Sequence, residues 1–189
     1  MSLHATSSQT VGPFFRIGLE PMFMPIVAGP EIDGEHVVIR GRVIDGEGSP
    51  IPDALIETWQ ADAQGVYADP EDTRSESVQA AFTGFGRAPT DDRGQFSITT
   101  IKPGRVPGHS GTPQAPHIVV VVFMRGLLRH LITRMYFPDE PANGEDEVLA
   151  TVPEERRATL IAGRDPEQGD TLVWNIVMQG ENETVFFDA

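Results

Sequence analysis

The longest uninterrupted apolar run of this chain, residues 118–124, covers seven positions and is β-branched at the first five. It is far too short to span a bilayer, and its composition suits a strand buried on both faces. Other stretches carry the same message. Val37, Ile39 and Val43 share one face of an extended segment over residues 36–45, which Asp45-Gly46-Glu47-Gly48 ends. Residues 95–101 alternate Phe96, Ile98 and Thr100 against Gln95, Ser97 and Thr99, after the turn signal Asp91-Asp92-Arg93-Gly94. Further strands are expected over 54–60, 130–137 and 172–179, with a short last one over 183–187. A single helix is expected over residues 153–162, where Pro153 suits the first turn, Glu154 and Glu155 suit the positive end of the dipole, and Gly163 suits the stop. With Gly (19) and Pro (16) well above their usual share, about seven short strands and no βαβ alternation predict an all-β fold. The expected architecture is an antiparallel β-sandwich with an N-terminal arm and one short helix.

Residues 1–35 mix Pro, Gly and isolated apolar residues without a period. Phe14, Phe15, Ile17, Leu19, Met22, Phe23, Met24 and Ile26 would leave a sticky surface if uncovered. We therefore expect 1–35 to be an arm packing on a partner subunit, and 36–189 to be the sandwich domain. The formal net charge of −14 disfavours nucleic acid, and no dense basic stripe offsets it. The start Met1-Ser2-Leu3-His4 lacks a basic segment followed by an apolar stretch, so a cytoplasmic protein is expected.

The chain has no Cys, which removes disulfides, thiolate nucleophiles, zinc–thiolate sites and iron–sulfur clusters together. The remaining candidates are His4, His36, His109, His117 and His130, Tyr67 and Tyr136, and the carboxylates. No His pair has a metal-ligand spacing such as HExxH. Gly84-Phe85-Gly86 lacks the residues of a phosphate loop, and there is no G-x-S-x-G elbow. On its own, His117 at the head of an apolar strand reads as a hydrogen-bonded structural histidine. A stand-alone β-sandwich binding module stays open at this level, since fold does not determine function.

Three ordered segments narrow the choice: residues 59–67 (Trp-Gln-Ala-Asp-Ala-Gln-Gly-Val-Tyr), 101–104 (Ile-Lys-Pro-Gly) and 115–118 (Ala-Pro-His-Ile). Together they resemble the intradiol ring-cleaving dioxygenases. Residues 8–15 (Ser-Gln-Thr-Val-Gly-Pro-Phe-Phe) and 180–188 (Gly-Glu-Asn-Glu-Thr-Val-Phe-Phe-Asp) extend the resemblance to both ends of the chain. They are similar to the protocatechuate-cleaving members, built from an iron-bearing beta chain and an alpha chain without metal. The resemblance implies a ferric site made by Gly-x-Tyr, Lys-Pro-Gly-x-Tyr-Pro and His-x-His. Here Tyr67 and His117 fit the pattern, but Val106 and Val119 stand at the second tyrosine and second histidine, and Gln114 stands where catalytic chains carry an Arg.

The implied expectations are an alpha-type subunit with no catalytic residue and no metal of its own, Fe(3+) on the beta subunit, and protocatechuate at the subunit interface. Thr10, Gly12 and Pro13 would border the partner's substrate pocket, and Arg134 would attract or position the substrate carboxylate. Tyr67 and His117 would persist as packing and hydrogen-bonding residues of a vestigial pocket, and Arg105 and His109 would be solvated.

Overall fold

Residues 6–109 and 111–188 are described by the computed structural model of the chain. Residues 1–5 of the arm, with His4, lie outside them. The alternation over 36–45 and 95–101 produces the longest pairing in the molecule. Strand β1 (His36–Ile44) and strand β4 (Gln95–Ile101) run antiparallel, from His36 opposite Ile101 to Arg42 opposite Gln95. Between them in sequence come β2 (Leu55–Trp59) and β3 (Phe85–Pro89), and after them β5 (His117–Phe123) and β6 (Leu131–Tyr136). These four form one sheet in the order β3-β2-β5-β6, all antiparallel. The other sheet has the order β4-β1-β8-β7, with β7 (Gly163–Arg164), β8 (Thr171–Val173), and β9 (Ile176–Val177) pairing further along β1.

The two sheets form the expected antiparallel sandwich, with one local addition: β8 and β9 both run parallel to β1. The long connection from β6 returns the chain to the far sheet, a crossover that permits parallel pairing. The stretch 172–179 is also two short strands rather than one. Between them Trp174 N donates to the Arg40 carbonyl, while Asn175 Oδ1 accepts from Arg42 N. No pattern predicted β3, and residues 183–187 contribute only an isolated bridge from Phe187 to Ile132. The helix expected over 153–162 shrinks to α3 (Glu154–Arg157) and a 3₁₀ turn to Leu160. Two more short helices, α1 (Pro13–Leu19) in the arm and α2 (Glu147–Ala150), join it.

The core lies between the inner faces. Val37, Ile39, Val43, Phe96 and Ile98 from one sheet meet Ile56, Ala88, Ile118, Val120, Val122 and Met135 from the other. Full burial of each Val, Ile, Phe or Met contributes about 1.5–3 kcal/mol. Strand β5 is buried on one face, not both. Ile118, Val120 and Val122 are within the core, whereas Val119, Val121 and Phe123 are half-buried on the outer face. A smaller cluster of Ala115, Tyr136, Ala142, Leu149, Val152 and Leu160 sits beneath the connection that follows β6.

The root of the arm joins the two sheets along one edge. Met24 exchanges two backbone hydrogen bonds with Arg87 of β3, at 2.9 and 3.0 Å. Val27 N donates to the Thr99 carbonyl of β4, and Thr99 N donates to the Pro25 carbonyl, both at 2.8 Å. Both edge strands thereby gain partners they would otherwise lack. Further out, Phe15 packs on Phe123 with ring centroids 5.4 Å apart. Phe14, Ile17 and Ile26 remain 82%, 54% and 63% exposed, so part of the arm's apolar surface is uncovered in the single chain.

Candidate functional site

The outer face of the β3-β2-β5-β6 sheet gathers the residues singled out from the motifs. Cross-strand register places Trp59, Val119 and Arg134 in one row, and His117 and Tyr136 in the next. Direct antiparallel partners share a face, so these side chains are neighbours. Two buried contacts fix the loop before Tyr67. Gln60 donates through Nε2 to the Ile101 carbonyl at 2.9 Å and accepts from Thr100 Oγ1 at 2.7 Å. Asp62 Oδ1 accepts from the backbone N–H groups of Gln64 and Val66, both at 2.9 Å. Gly65 has φ of 74°, and a Cβ there would collide with the Arg105 carbonyl. Only glycine lets the 62–67 loop lie against the 102–106 loop. Tyr67 consequently stacks on Trp59, centroids 6.0 Å apart and planes 8° from parallel.

His117 is 5% exposed, and its Nδ1 lies 2.8 Å from the Ala115 carbonyl. Its ring tilts against Tyr136, whose hydroxyl donates to Asp146 Oδ1 at 3.0 Å. Asp146, 1% exposed, also accepts from Val148 N and Leu149 N at the start of α2, and through Oδ2 from Ala115 N. One carboxylate thus links the segment leading into β5, strand β6 and α2. Sequence reasoning passed over Asp146, although an Asp followed by Glu and an apolar pair is an N-cap signal.

Arg134 points its Nη1 at Gln114 Oε1, 2.6 Å away. Its charge acts on three neighbours. Burial, then the Arg134 guanidinium, pulls His117 down to about 4, so the imidazole is neutral at pH 7. Burial raises Tyr67 and opposes the influence of Arg134, while burial followed by Asp146 raises Tyr136. Both phenols therefore stay protonated at neutral pH. Val106, buried at 4% exposure, and Val119 bring no donor atom to this pocket. Among the described residues no group of three or more His, Cys, Asp or Glu is gathered closely enough to hold a metal ion.

Thr10, Gly12 and Pro13 lie elsewhere. Thr10 Oγ1 accepts from Gly126 N at 2.8 Å, Gly12 precedes α1, and Pro13 begins it. A recess of about 100 Å³ between Gly12, Pro13 and Asp53 marks their position. That is the end of the sheet where β5 turns into β6. Val119, opposite Arg134, is already about 13 Å from Phe123 along the strand. Within one chain these residues flank the outer face at two ends and do not converge. Arg105 and His109 are exposed as expected, but Arg105 also clips its loop by donating to the Pro113 and Gln114 carbonyls at 2.6 and 3.3 Å.

Comparison with known proteins adds to this geometry. Residues 25–180 match the family described as dioxygenase (Dioxygenase_C). The chain is 45% identical over its whole length to the protocatechuate 3,4-dioxygenase alpha chain of Burkholderia cepacia, covering 99% of that protein. It is 43% identical to the alpha chain of Pseudomonas putida, with 98% of this chain and 97% of that one covered. The beta chain of the Burkholderia cepacia enzyme is 35% identical over 80% of this chain and 67% of its own length. Among solved structures, the dioxygenase domain of a carbohydrate-binding fusion protein from Streptomyces sp. SirexAA-E superposes with a TM-score of 0.64 at 23% identity. That match covers 86% of this chain and 89% of that domain, and it speaks to the fold alone.

Proposed function

The chain belongs to the intradiol ring-cleaving dioxygenase family, and from that premise we propose that it is the metal-free alpha subunit of a protocatechuate 3,4-dioxygenase. Its beta subunit would hold the ferric ion, and the assembled cytoplasmic enzyme would join protocatechuate and O2 to give 3-carboxy-cis,cis-muconate. No helix among the described residues is long and apolar enough to cross a membrane.

One observation carries the reading. A frame that keeps Tyr67, His117 and their supporting contacts offers isopropyl groups at 106 and 119, and a guanidinium opposite Val119. Two neutral donors beside a fixed positive charge do not fit ferric iron, which in this family needs a hard anionic set. No step of ring cleavage is therefore assigned to this chain's side chains. Its contribution is to shape the pocket of the partner. The open surface at Gly12 and Pro13 supports a role for them and Thr10 as a wall of that pocket. Arg134 supports a carboxylate role because Gln114 occupies only part of a five-donor group.

Expression alone and with the beta chain tests the proposal. The lone chain should be colourless, free of stoichiometric iron and inactive, and the pair should contain iron and turn over protocatechuate. One iron per chain, or ring opening by the lone chain, would overturn the assignment. Within the active pair, Arg134→Ala should raise KM for protocatechuate a few-fold, a loss on the order of 1 kcal/mol, and leave catechol unaffected for want of a carboxylate. Equal changes with both substrates would remove Arg134 from recognition.

A further inference from the structure

The sheet farthest from the motif residues carries an unassigned recess of about 540 Å³, on the outer face of β1 and β4. Arg40 and Arg42 lie on its floor, two residues apart on the solvent face of β1, with Cα atoms about 7 Å from each other. Ser97, Asn175 and Gln95 complete its polar wall. Among the described residues, six of the fourteen Lys and Arg side chains have a carboxylate within 4.0 Å. Among the described residues neither Arg40 nor Arg42 has one within 4.0 Å.

Their partners are neutral. Arg40 Nη1 donates to Gln168 Oε1 at 3.2 Å. Arg42 meets the Gln95 amide oxygen at 3.0 and 3.3 Å in the amide orientation that satisfies both groups. Asp91 is the acid in the lining, and its Oδ1 is committed to the backbone N–H groups of Arg93 and Gln95. Arg42 influences Asp91 only as a charge. Two like charges side by side on one strand face repel, and an anion that spans both relieves the repulsion.

We propose that this recess is a dicarboxylate site in which Arg40 and Arg42 each take one carboxylate. A guanidinium presents a planar fork of donors matched to one carboxylate; Arg42 leans toward Gln95 of β4 and Arg40 toward Gln168, just before β8 on the other side of β1, so the two separated forks suit two carboxylates held apart by a short carbon chain. The identity of the natural occupant rests on the function proposed above. Opening protocatechuate between its hydroxyls yields 3-carboxy-cis,cis-muconate, whose two newly formed carboxylates end a six-carbon chain, so the recess would grip that pair in the product of the assembled enzyme.

Adipate, a saturated six-carbon dicarboxylate, is the probe, titrated calorimetrically at low ionic strength into the full chain assembled with its beta subunit. Benzoate and inorganic phosphate serve as comparators. Adipate should bind saturably, once per copy of this chain, at least tenfold more tightly than either comparator. Arg40→Gln and Arg42→Gln should each weaken it about tenfold, and the double variant should abolish it. Both side chains are exposed, and an unchanged Tm of each variant without adipate checks that folding is intact. No saturable adipate binding, equal binding to the double variant, or phosphate binding as tight as adipate overturns the site. Turnover of protocatechuate by the same preparation separates the two readings. An active complex without adipate binding loses the recess alone, whereas an inactive complex that binds adipate loses the product assignment and keeps the site.

Discussion

A single buried carboxylate does more to hold the motif residues in place than any of the residues the motifs name. Asp146 receives four donors from β6, α2 and the segment before β5, and truncating it leaves Ala115 N, Val148 N, Leu149 N and the Tyr136 hydroxyl to find other partners. Asp146→Ala should lower unfolding free energy by about 3 kcal/mol in urea titration, and Asp146→Asn by less, since an amide oxygen still caps α2. His117 makes a second prediction. Its pKa, near 6.5 when unfolded, falls to about 4 when folded, so the unfolded chain binds more protons between those values. Stability from neutral burial of His117 is present above pH 6.5 and is lost progressively as pH falls toward 4, by up to about 3 kcal/mol. Unfolding midpoints at pH 7 and pH 5 measure this, and His117→Gln should flatten the difference. The sequence reading of His117 as a hydrogen-bonded structural residue agrees with its contact to Ala115. Only the local half of the Asp146 hub, its cap on Val148 N and Leu149 N, had a signal in the sequence; the Ala115 and Tyr136 donors are brought to it by the tertiary fold.

Among the elements, legibility followed how far each strand's pattern depends on its own residues. Strand β4 emerged with the predicted limits because a turn signal and strict alternation are both local. Strand β3 carries Gly86 and ends in Pro89, so its own composition argues against it. It forms because β2 lies on one side and Met24 of the arm on the other. The break between β8 and β9 has a similar origin. Gly41 of β1 sits where a Cβ would strike the Trp174 carbonyl and come within 2.8 Å of the Phe96 ring. Here the need is space, not an unusual backbone angle. Gly41→Ala should push Trp174 outward and loosen β8 and β9 from β1, costing about 1–3 kcal/mol and lowering Tm by roughly 2–12 °C in a calorimetric melt. Gly163→Ala, whose nearest foreign atom is 3.8 Å from the added Cβ, is the control expected to change Tm little.

For the whole molecule, the arm decides how the chain behaves without company. Phe14 and Ile17 lie on a short helix with no buried residue, a costly exposure for an isolated subunit. We expect Phe14→Ser with Ile17→Ser to keep the lone chain monodisperse at higher concentration and to weaken assembly with the beta subunit about tenfold or more. Light scattering behind size exclusion reads both effects. Unchanged assembly would mean that the partner docks on another surface. The sandwich and the family frame could be read from patterns along the chain. The separation of Arg134 from Thr10, Gly12 and Pro13 could not, since it depends on how strands lie across one another.

The fastening of residues 24–27 to both edge strands has a consequence for how evolution and mutagenesis can treat the arm. On the proposed reading of the arm, changes beyond the fastening would adjust recruitment of a companion and leave the fold's own endurance almost untouched. Changes at the fastening unzip two sheet margins at once, so a defect there would masquerade as lost assembly while its root is a chain that no longer closes upon itself.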